Sequence, residues 1–328
     1  MPKSQCMSNT ARVTSAGKIA HDLLGSPSTG IVYAVFQRTF YLKKTGNLKT
    51  ELANSDSAMQ APCKSTTSVS VSSPSLCCIG QEELERGPLN ISTTLSHTPQ
   101  LEIGSHWFSD QKLVTIGTVE LDLACATIWL PSPAHHVTMP ATDSVELLIR
   151  FVADNAPRPQ KQSRIKQMID EQLSHASKQL LEWLDNSRDK RAEILFPDNL
   201  LGCGDGLTPA GDDIVVGVLL ASHTWNSPGL KKLITEVKKR TSDTNDISAA
   251  HLLAACSGSG IAPLHHLIDC ISTRPGQHGN NSHRYENDYE HGQILEAANT
   301  LCNYGHSSGY YAMKGVLMAA QCQLFRPH

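Results

Sequence analysis

Two hydrophobic rhythms divide the chain near residue 140. Before that point, apolar and β-branched residues come in short extended runs. These are Ile31–Tyr41, Leu113–Val119 and Leu121–Leu130, with Val69–Val71 and Leu76–Ile79 as shorter candidates. Runs of this kind read as strands. Ser-, Thr- and Pro-rich stretches separate them, and Asn54–Ser75 reads as a loose loop. One helix, Ala11–Leu24, is expected to open this half. After residue 140 the period becomes helical. Asp143 and Glu146 make a capping-box-like start for a helix through Val145–Val152. Asn155–Pro159 breaks the pattern. Ile165, Met168, Ile169, Leu173, Leu180 and Leu184 then trace a long amphipathic helix. Further helices are expected over Ile214–Ala221, after Ser227-Pro228, and over Ile247–Ala255, Leu264–Ile271, Gln293–Cys302 and Ser308–Leu324, with Gly276–Tyr289 as a polar surface loop. The pattern predicts an α+β protein: a β-rich domain over residues 1–140, then a mostly helical domain over 141–328.

The helical half contains the segment richest in chemistry, Gly202-Cys-Gly-Asp-Gly-Leu-Thr-Pro-Ala-Gly-Asp-Asp213. Its glycines, Gly202, Gly204, Gly206 and Gly211, let a ligand approach the main chain. Thr208-Pro209 reads as a helix start, with a hydroxyl at the N-cap and proline at the first helical position. A glycine loop feeding a helix N-terminus suits an anion. Asp212 and Asp213 change that picture. They repel a bare phosphate, but they suit a hard cation that bridges to one. Known phosphate loops fit badly: Leu207 stands where a dinucleotide fingerprint needs glycine, and Asp212 where a P-loop needs lysine. No nucleotide or flavin cofactor is therefore expected. The competing account is purely structural, with the carboxylates complementing the helix dipole and the glycines turning a corner.

Two more helix entries share this character. Asp243, Thr244, Asn245, Asp246 and Ser248 precede an apolar helix, and capping explains only one or two of them. Gly305-His306-Ser307-Ser308-Gly309 matches the G-x-S-x-G nucleophile elbow, which works only where a strand turns into a helix. Ile294, Leu295, Ala298 and Leu301 have helical spacing, so the expected context is helix–turn–helix. The better reading is a second anion-binding helix entry. Its structural rival is capping by Ser307, with Gly305 stopping the preceding helix. The histidine pairs His135-His136 and His265-His266 lack the i,i+4 spacing of a shared metal, so zinc is not expected.

The glycine loop resembles the hallmark of the AllH-like family, which includes a subunit of bacterial oxamate carbamoyltransferase. Arg86-Gly-Pro-Leu-Asn-Ile91, Thr244-Asn-Asp-Ile-Ser248 and Gly305–Gly309 are similar to other parts of the family's pattern, in the same order along the chain. The resemblance implies carbamoyl transfer from carbamoyl phosphate to the nitrogen of oxamate, giving oxalurate and phosphate, in allantoin catabolism. It also implies partner subunits, without which the chain alone is inactive. On this reading Asp212, Asp213 and His306 are the catalytic candidates. Gly204, Gly206, Thr208, Gly211, Asn245, Ser248, Ser307 and Ser308 are the candidates for binding a small anionic substrate. Asp212 and Asp213 are the candidate ligands of Mg²⁺. The alternatives are a non-catalytic assembly subunit of that complex and a serine hydrolase using Ser307.

Bulk properties fit a cytoplasmic enzyme subunit. The formal charge of −3 advertises no basic face for nucleic acid. Ile214–Ala221 is far short of the ~20 residues a membrane span needs. Met1-Pro2-Lys3-Ser4-Gln5 leads into no apolar stretch, so no secretory signal is expected. The ten cysteines are scattered, which suits reduced thiols.

Overall fold

Among the described residues nine strands pair in the order β5-β4-β3-β2-β6-β7-β8-β1-β9, and a further β5–β1 pairing closes the first eight into a barrel. They are β1 Asn9–Gly17, β2 Ser28–Val35, β3 Thr39–Asn47, β4 Leu76–Gly80, β5 Asn90–Thr93, β6 His106–Ser109, β7 Leu113–Ile116, β8 Val119–Asp122 and β9 Thr127–Trp129. The computed structural model describes residues 9–47, 73–132, 139–156, 164–186, 195–273 and 284–324. Two units are evident, Met1–Leu130 and Pro131–His328. The first holds the barrel and one short helix, α1 Lys18–Leu24. The second is helical, so the protein is α+β.

β1 makes the closure possible by changing partners along its length. Asn9–Arg12 runs parallel to Val119–Asp122 of β8, whereas Val13, Ser15 and Ala16 pair antiparallel with β5 across a register shift. A bulge of this kind bends the strand and increases its twist. Inward-facing residues fill a barrel of this size. Here Val13, Val32, Phe40, Leu42, Ile79, Ile91, Trp107, Val114, Ile116 and Leu121 do so.

Four expectations are corrected in this unit. Residues 11–17 are strand rather than the start of a helix, because Ala11 and Val13 alternate inward before α1 begins at Lys18. The Ile31–Tyr41 run is two strands, β2 and β3, turned by Phe36–Arg38 with a Phe36 N–H to Thr39 carbonyl bond of 2.8 Å. Leu113–Val119 likewise breaks at Gly117, whose φ of +58° suits a tight hairpin, and Leu121–Leu130 divides between β8 and β9. β4 forms where Leu76–Ile79 predicts it. The Val69–Val71 candidate lies outside the described residues, as does most of the Asn54–Ser75 loop. The Arg86–Ile91 motif is structural: the Pro88 carbonyl accepts from Ala20 N–H, and a Cβ on Gly17 would lie 2.0 Å from the Gly87 carbonyl oxygen.

The helices are α2 Thr142–Asp154, α3 Arg164–Asn186, α4 Ala210–Thr224, α5 Leu230–Lys239, α6 Asp246–Cys256, α7 Ala262–Cys270, α8 Arg284–Cys302 and α9 Ser308–Leu324. α4 and α6 are apolar nearly all round, which is the mark of central helices. α3 forms where its spacing predicts, with Leu173, Ala176, Leu180 and Trp183 turned inward, but Ile165 and Met168 of the expected stripe are exposed. The capping box at Asp143 does not form. α2 starts earlier, after Ala141, whose N–H bonds the Ile271 carbonyl beside a Pro140–Ser272 bridge. Residues 284–289, expected in a loop, open α8 instead.

One crossing positions everything that follows. A Cβ on Gly217 of α4 would sit 2.0 Å from the Ala312 carbonyl oxygen, and one on Gly315 of α9 would sit 2.0 Å from that of Ile214. The two backbones therefore touch, which fixes the entries of both helices relative to each other. Gly217→Ala is expected to cost about 1–3 kcal/mol by overpacking. The check is a lowered chemical-denaturation midpoint with an unchanged m-value. No described helix is long and apolar enough to cross a membrane.

Candidate active site

The glycine loop folds back on the helix it feeds. Gly202, Gly204 and Gly206 have φ of +75°, +127° and +95°, all in the left-handed region. The Cys203 N–H bonds the Leu200 carbonyl, and the Cys203 carbonyl accepts the Gly211 N–H at 2.8 Å. That bond consumes an amide at the start of α4 that the sequence suggested for an anion. Three glycines are also spent on close packing, and a Cβ on Gly202 would lie 2.3 Å from the Asp243 carbonyl oxygen. A Cβ on Gly211 would lie 1.9 Å from the Leu200 carbonyl oxygen, and one on Gly204 would lie 2.5 Å from Ala210 N. Gly206 alone among the loop glycines faces open space. The helix start is shifted by one residue from expectation: Pro209 occupies the N-cap, and Thr208 does not cap.

The two aspartates have different jobs. Asp212 is 1% exposed, and both its oxygens are engaged. Oδ1 accepts the Gly202 N–H at 2.7 Å; Oδ2 accepts the Thr244 hydroxyl at 2.5 Å and the Ser248 hydroxyl at 2.6 Å. One carboxylate thus ties the glycine loop to the entry of α6. Burial raises the Asp212 pKa, against the pull of these three donors. Ser248, expected to meet substrate, is instead buried beneath this carboxylate. Asn245 is similarly occupied. Its Oδ1 caps α6 by accepting from Ile247 and Ser248 N–H, while its Nδ2 donates to the Leu207 carbonyl at 3.0 Å.

Asp213 is the residue left over. It is 8% exposed, and among the described residues its Oδ2 is a buried oxygen without a hydrogen-bond partner. Burial raises its pKa well above the ordinary carboxylate value, and the Asp212 charge adds to the effect. The Ser308 and Thr208 hydroxyls act the other way, by favouring the charged form. Those hydroxyls are 2.7 Å apart, which joins the entry of α4 to that of α9. The structure therefore brings all three polar helix entries together.

The Gly305–Gly309 turn follows α8 rather than a strand, so it lacks the context of a nucleophile elbow. Gly305 has φ +64°, and the Gly309 N–H returns to the Tyr304 carbonyl. The Ser307 carbonyl accepts the Tyr311 N–H as α9 begins. His306 is exposed, and no described hydrogen bond joins it to the carboxyls. Sequence reasoning missed Tyr311. Its phenol is raised by burial and by the nearby Asp170, Cys203 and Asp213, which places it in their company. Its position four residues after Ser307, on the same helical face, was the available signal.

Residues 200–320 match the sequence model of the family described as Oxamate carbamoyltransferase subunit AllH. Over that stretch the chain is similar to that family. No curated protein and no solved structure matches the chain. The matched segment contains all three joined entries, from the glycine loop to most of α9. Of its two adjacent carboxylates, Asp212 accepts bonds from Gly202, Thr244 and Ser248, whereas Asp213 Oδ2 accepts none from the described residues. Among the described residues, no group of three or more His, Cys, Asp or Glu side chains is arranged to hold a metal. His265 Nε2 is used to accept the Gly260 N–H at 3.0 Å, and His135-His136 lies outside the described residues.

Proposed function

We propose that the AllH-like unit supplies a substrate site to a cytoplasmic, multi-subunit oxamate carbamoyltransferase working in allantoin catabolism. Asp213 Oδ2 is the observation that carries this reading. A buried, unpartnered carboxylate oxygen costs stability unless something pairs with it. It stands where two hydroxyls and two helix entries converge.

The chemistry follows from the groups present. The oxamate nitrogen attacks the carbamoyl carbon of carbamoyl phosphate. The bond from that carbon to the phosphate oxygen breaks, and phosphate leaves with the electron pair. The proton lost from the nitrogen passes to Asp213 Oδ2. Of the Thr208 and Ser308 hydroxyls, one donates to the other, and the remaining proton is donated to a substrate oxygen. Gly206, the open glycine, lets the ligand approach the main chain. Asp212 acts at one remove, by holding the loop in place.

Magnesium is a separate part of the proposal. Such an ion keeps several waters and takes one or two carboxylates plus substrate phosphate. Asp213 Oδ2 would hold it, and bound there it would neutralise charge on the phosphate. One oxygen serves one role, and metal removal decides between them. Transfer unchanged by a chelator leaves Asp213 as proton acceptor; transfer lost and restored by Mg²⁺ makes it the cation ligand.

The primary test is calorimetric titration of the full chain, alone and with its partner subunits, with carbamoyl phosphate and oxamate. Saturable binding in which inorganic phosphate competes is expected. Absence of binding in both states, with transfer indifferent to Asp213→Asn, would make this chain an assembly subunit. A fluorophosphonate label is expected to leave Ser307 unmodified.

A further inference from the structure

The described groups acting on Asp213 are the Ser308 and Thr208 hydroxyls and the Asp212 carboxyl, yet the proposed substrates are oxyanions. His306, a catalytic candidate from the sequence, is exposed at the turn. A cation must come from elsewhere, and α9 carries one. Ser307, Tyr311 and Lys314 are spaced i, i+4 and i+7, so they line one helical face. Helical side chains lean toward the N-terminus, which carries the Lys314 ammonium back toward the entry of α9. Its Nζ stands 5.8 Å from the centroid of the Tyr311 ring, within the range of a cation–π contact.

We propose that Lys314, held over Tyr311, receives the oxyanion of the substrate, either the carboxylate of the acceptor or the phosphate of the donor. This rests on the reading of the site given above. Among the described residues no carboxylate lies within ion-pair distance of Lys314, and the Tyr311 ring is the partner its ammonium has. Burial lowers its pKa, as expected of a half-buried cation with no counter-charge. A half-buried cation facing an aromatic ring and no acid is poised for an incoming anion. The Tyr311 phenol is raised by burial first and then by the charges of Asp170, Cys203 and Asp213.

The experiment titrates the full chain with oxamate and, separately, with inorganic phosphate, for the wild type, Lys314→Gln and Lys314→Arg. The expected result is at least a tenfold weaker affinity for one anion in Lys314→Gln, with most affinity kept in Lys314→Arg. The anion that weakens identifies the group Lys314 receives. In the wild type, that same anion is expected to protect Lys314 from amine acylation, read by mass spectrometry; this holds whether or not the glutamine variant folds. Wild-type binding of both anions with equal affinity in Lys314→Gln, or no protection of Lys314, overturns the inference while leaving the proposed function standing. A wild-type chain that binds neither anion, alone or with its partner subunits, overturns both.

Discussion

At pH 8 the Asp213→Asn variant is expected to melt at a higher temperature than the wild type. In the assembled complex it is expected to transfer carbamoyl groups more slowly by roughly 10²–10⁴-fold, the usual loss for a positioned proton acceptor. The two effects have one cause. Burial holds the folded-state pKa of Asp213 well above its unfolded value of 3.8. The folded chain therefore keeps the proton to higher pH than the unfolded chain does. Stability is fully present below the unfolded pKa and is lost as pH rises through the folded one. Asparagine never ionises, so it escapes that loss. Its advantage should be absent below about pH 4, the ordinary carboxylate range, and should grow from there to a plateau. At the plateau a gain on the order of 1–3 kcal/mol is reasonable, the typical cost of one unsatisfied buried polar group.

A purely structural Asp213 predicts the opposite. A residue kept to support the fold loses stability when replaced, and activity falls only as folding falls. A site residue that costs stability and is nonetheless present marks the trade between stability and function. Thermal melts across pH, set beside a transfer assay, separate the accounts. A variant that melts lower at pH 8 and transfers at the wild-type rate would remove Asp213 from the mechanism.

How much of this was legible in the sequence depends on whether the cause was local. The helical period of Leu173, Leu180 and Leu184 gave α3, because burying one stripe is a local arrangement. The strand runs were visible too, but their turns were not. Phe36–Arg38 carries no glycine, so the β2–β3 hairpin read as one long strand. Ala11–Gly17 was expected to open a helix. Its strand state comes from pairing with β5, β8 and β9, all distant in sequence. The same division runs through the site. Adjacency suggested that Asp212 and Asp213 act together. On a helix, however, neighbouring residues point about 100° apart, and these two face different partners. Asp212 reaches Thr244 and Ser248, whereas Asp213 faces Ser308 and Thr208. The polar clusters at 244–248 and 305–309 were legible as unusual, since capping did not account for them. That one completes the fixed frame and the other the open edge depends on the Gly217–Gly315 crossing, which no local pattern encodes.

Asp212 should behave as the mirror image of its neighbour. In Asp212→Ala, the Gly202 N–H and the hydroxyls of Thr244 and Ser248 lose their shared acceptor. Thr244 is half-buried and recovers water, but Ser248 is 1% exposed and does not. Part of the loss is returned, because a desolvated carboxylate is also removed. The net cost is therefore expected near 2–4 kcal/mol rather than the sum of three bonds. For a unit of this size that is a fall in melting temperature of roughly 5–12 °C. The glycine loop should loosen first, since Gly202 and Gly206 keep left-handed backbone with one tether fewer, and protease cleavage at 204–207 should accelerate. Asp212→Asn keeps one acceptor for Gly202 and offers an NH₂ to two hydroxyls that can turn to receive it. It should melt close to the wild type and retain most binding. The pair of neighbours thus gives crossed signatures: alanine at 212 lowers stability and activity together, while asparagine at 213 raises one and lowers the other. An Asp212→Ala chain that keeps its melting temperature and its loop protection would show that the three donors are satisfied without the carboxylate, and that the frame is held some other way.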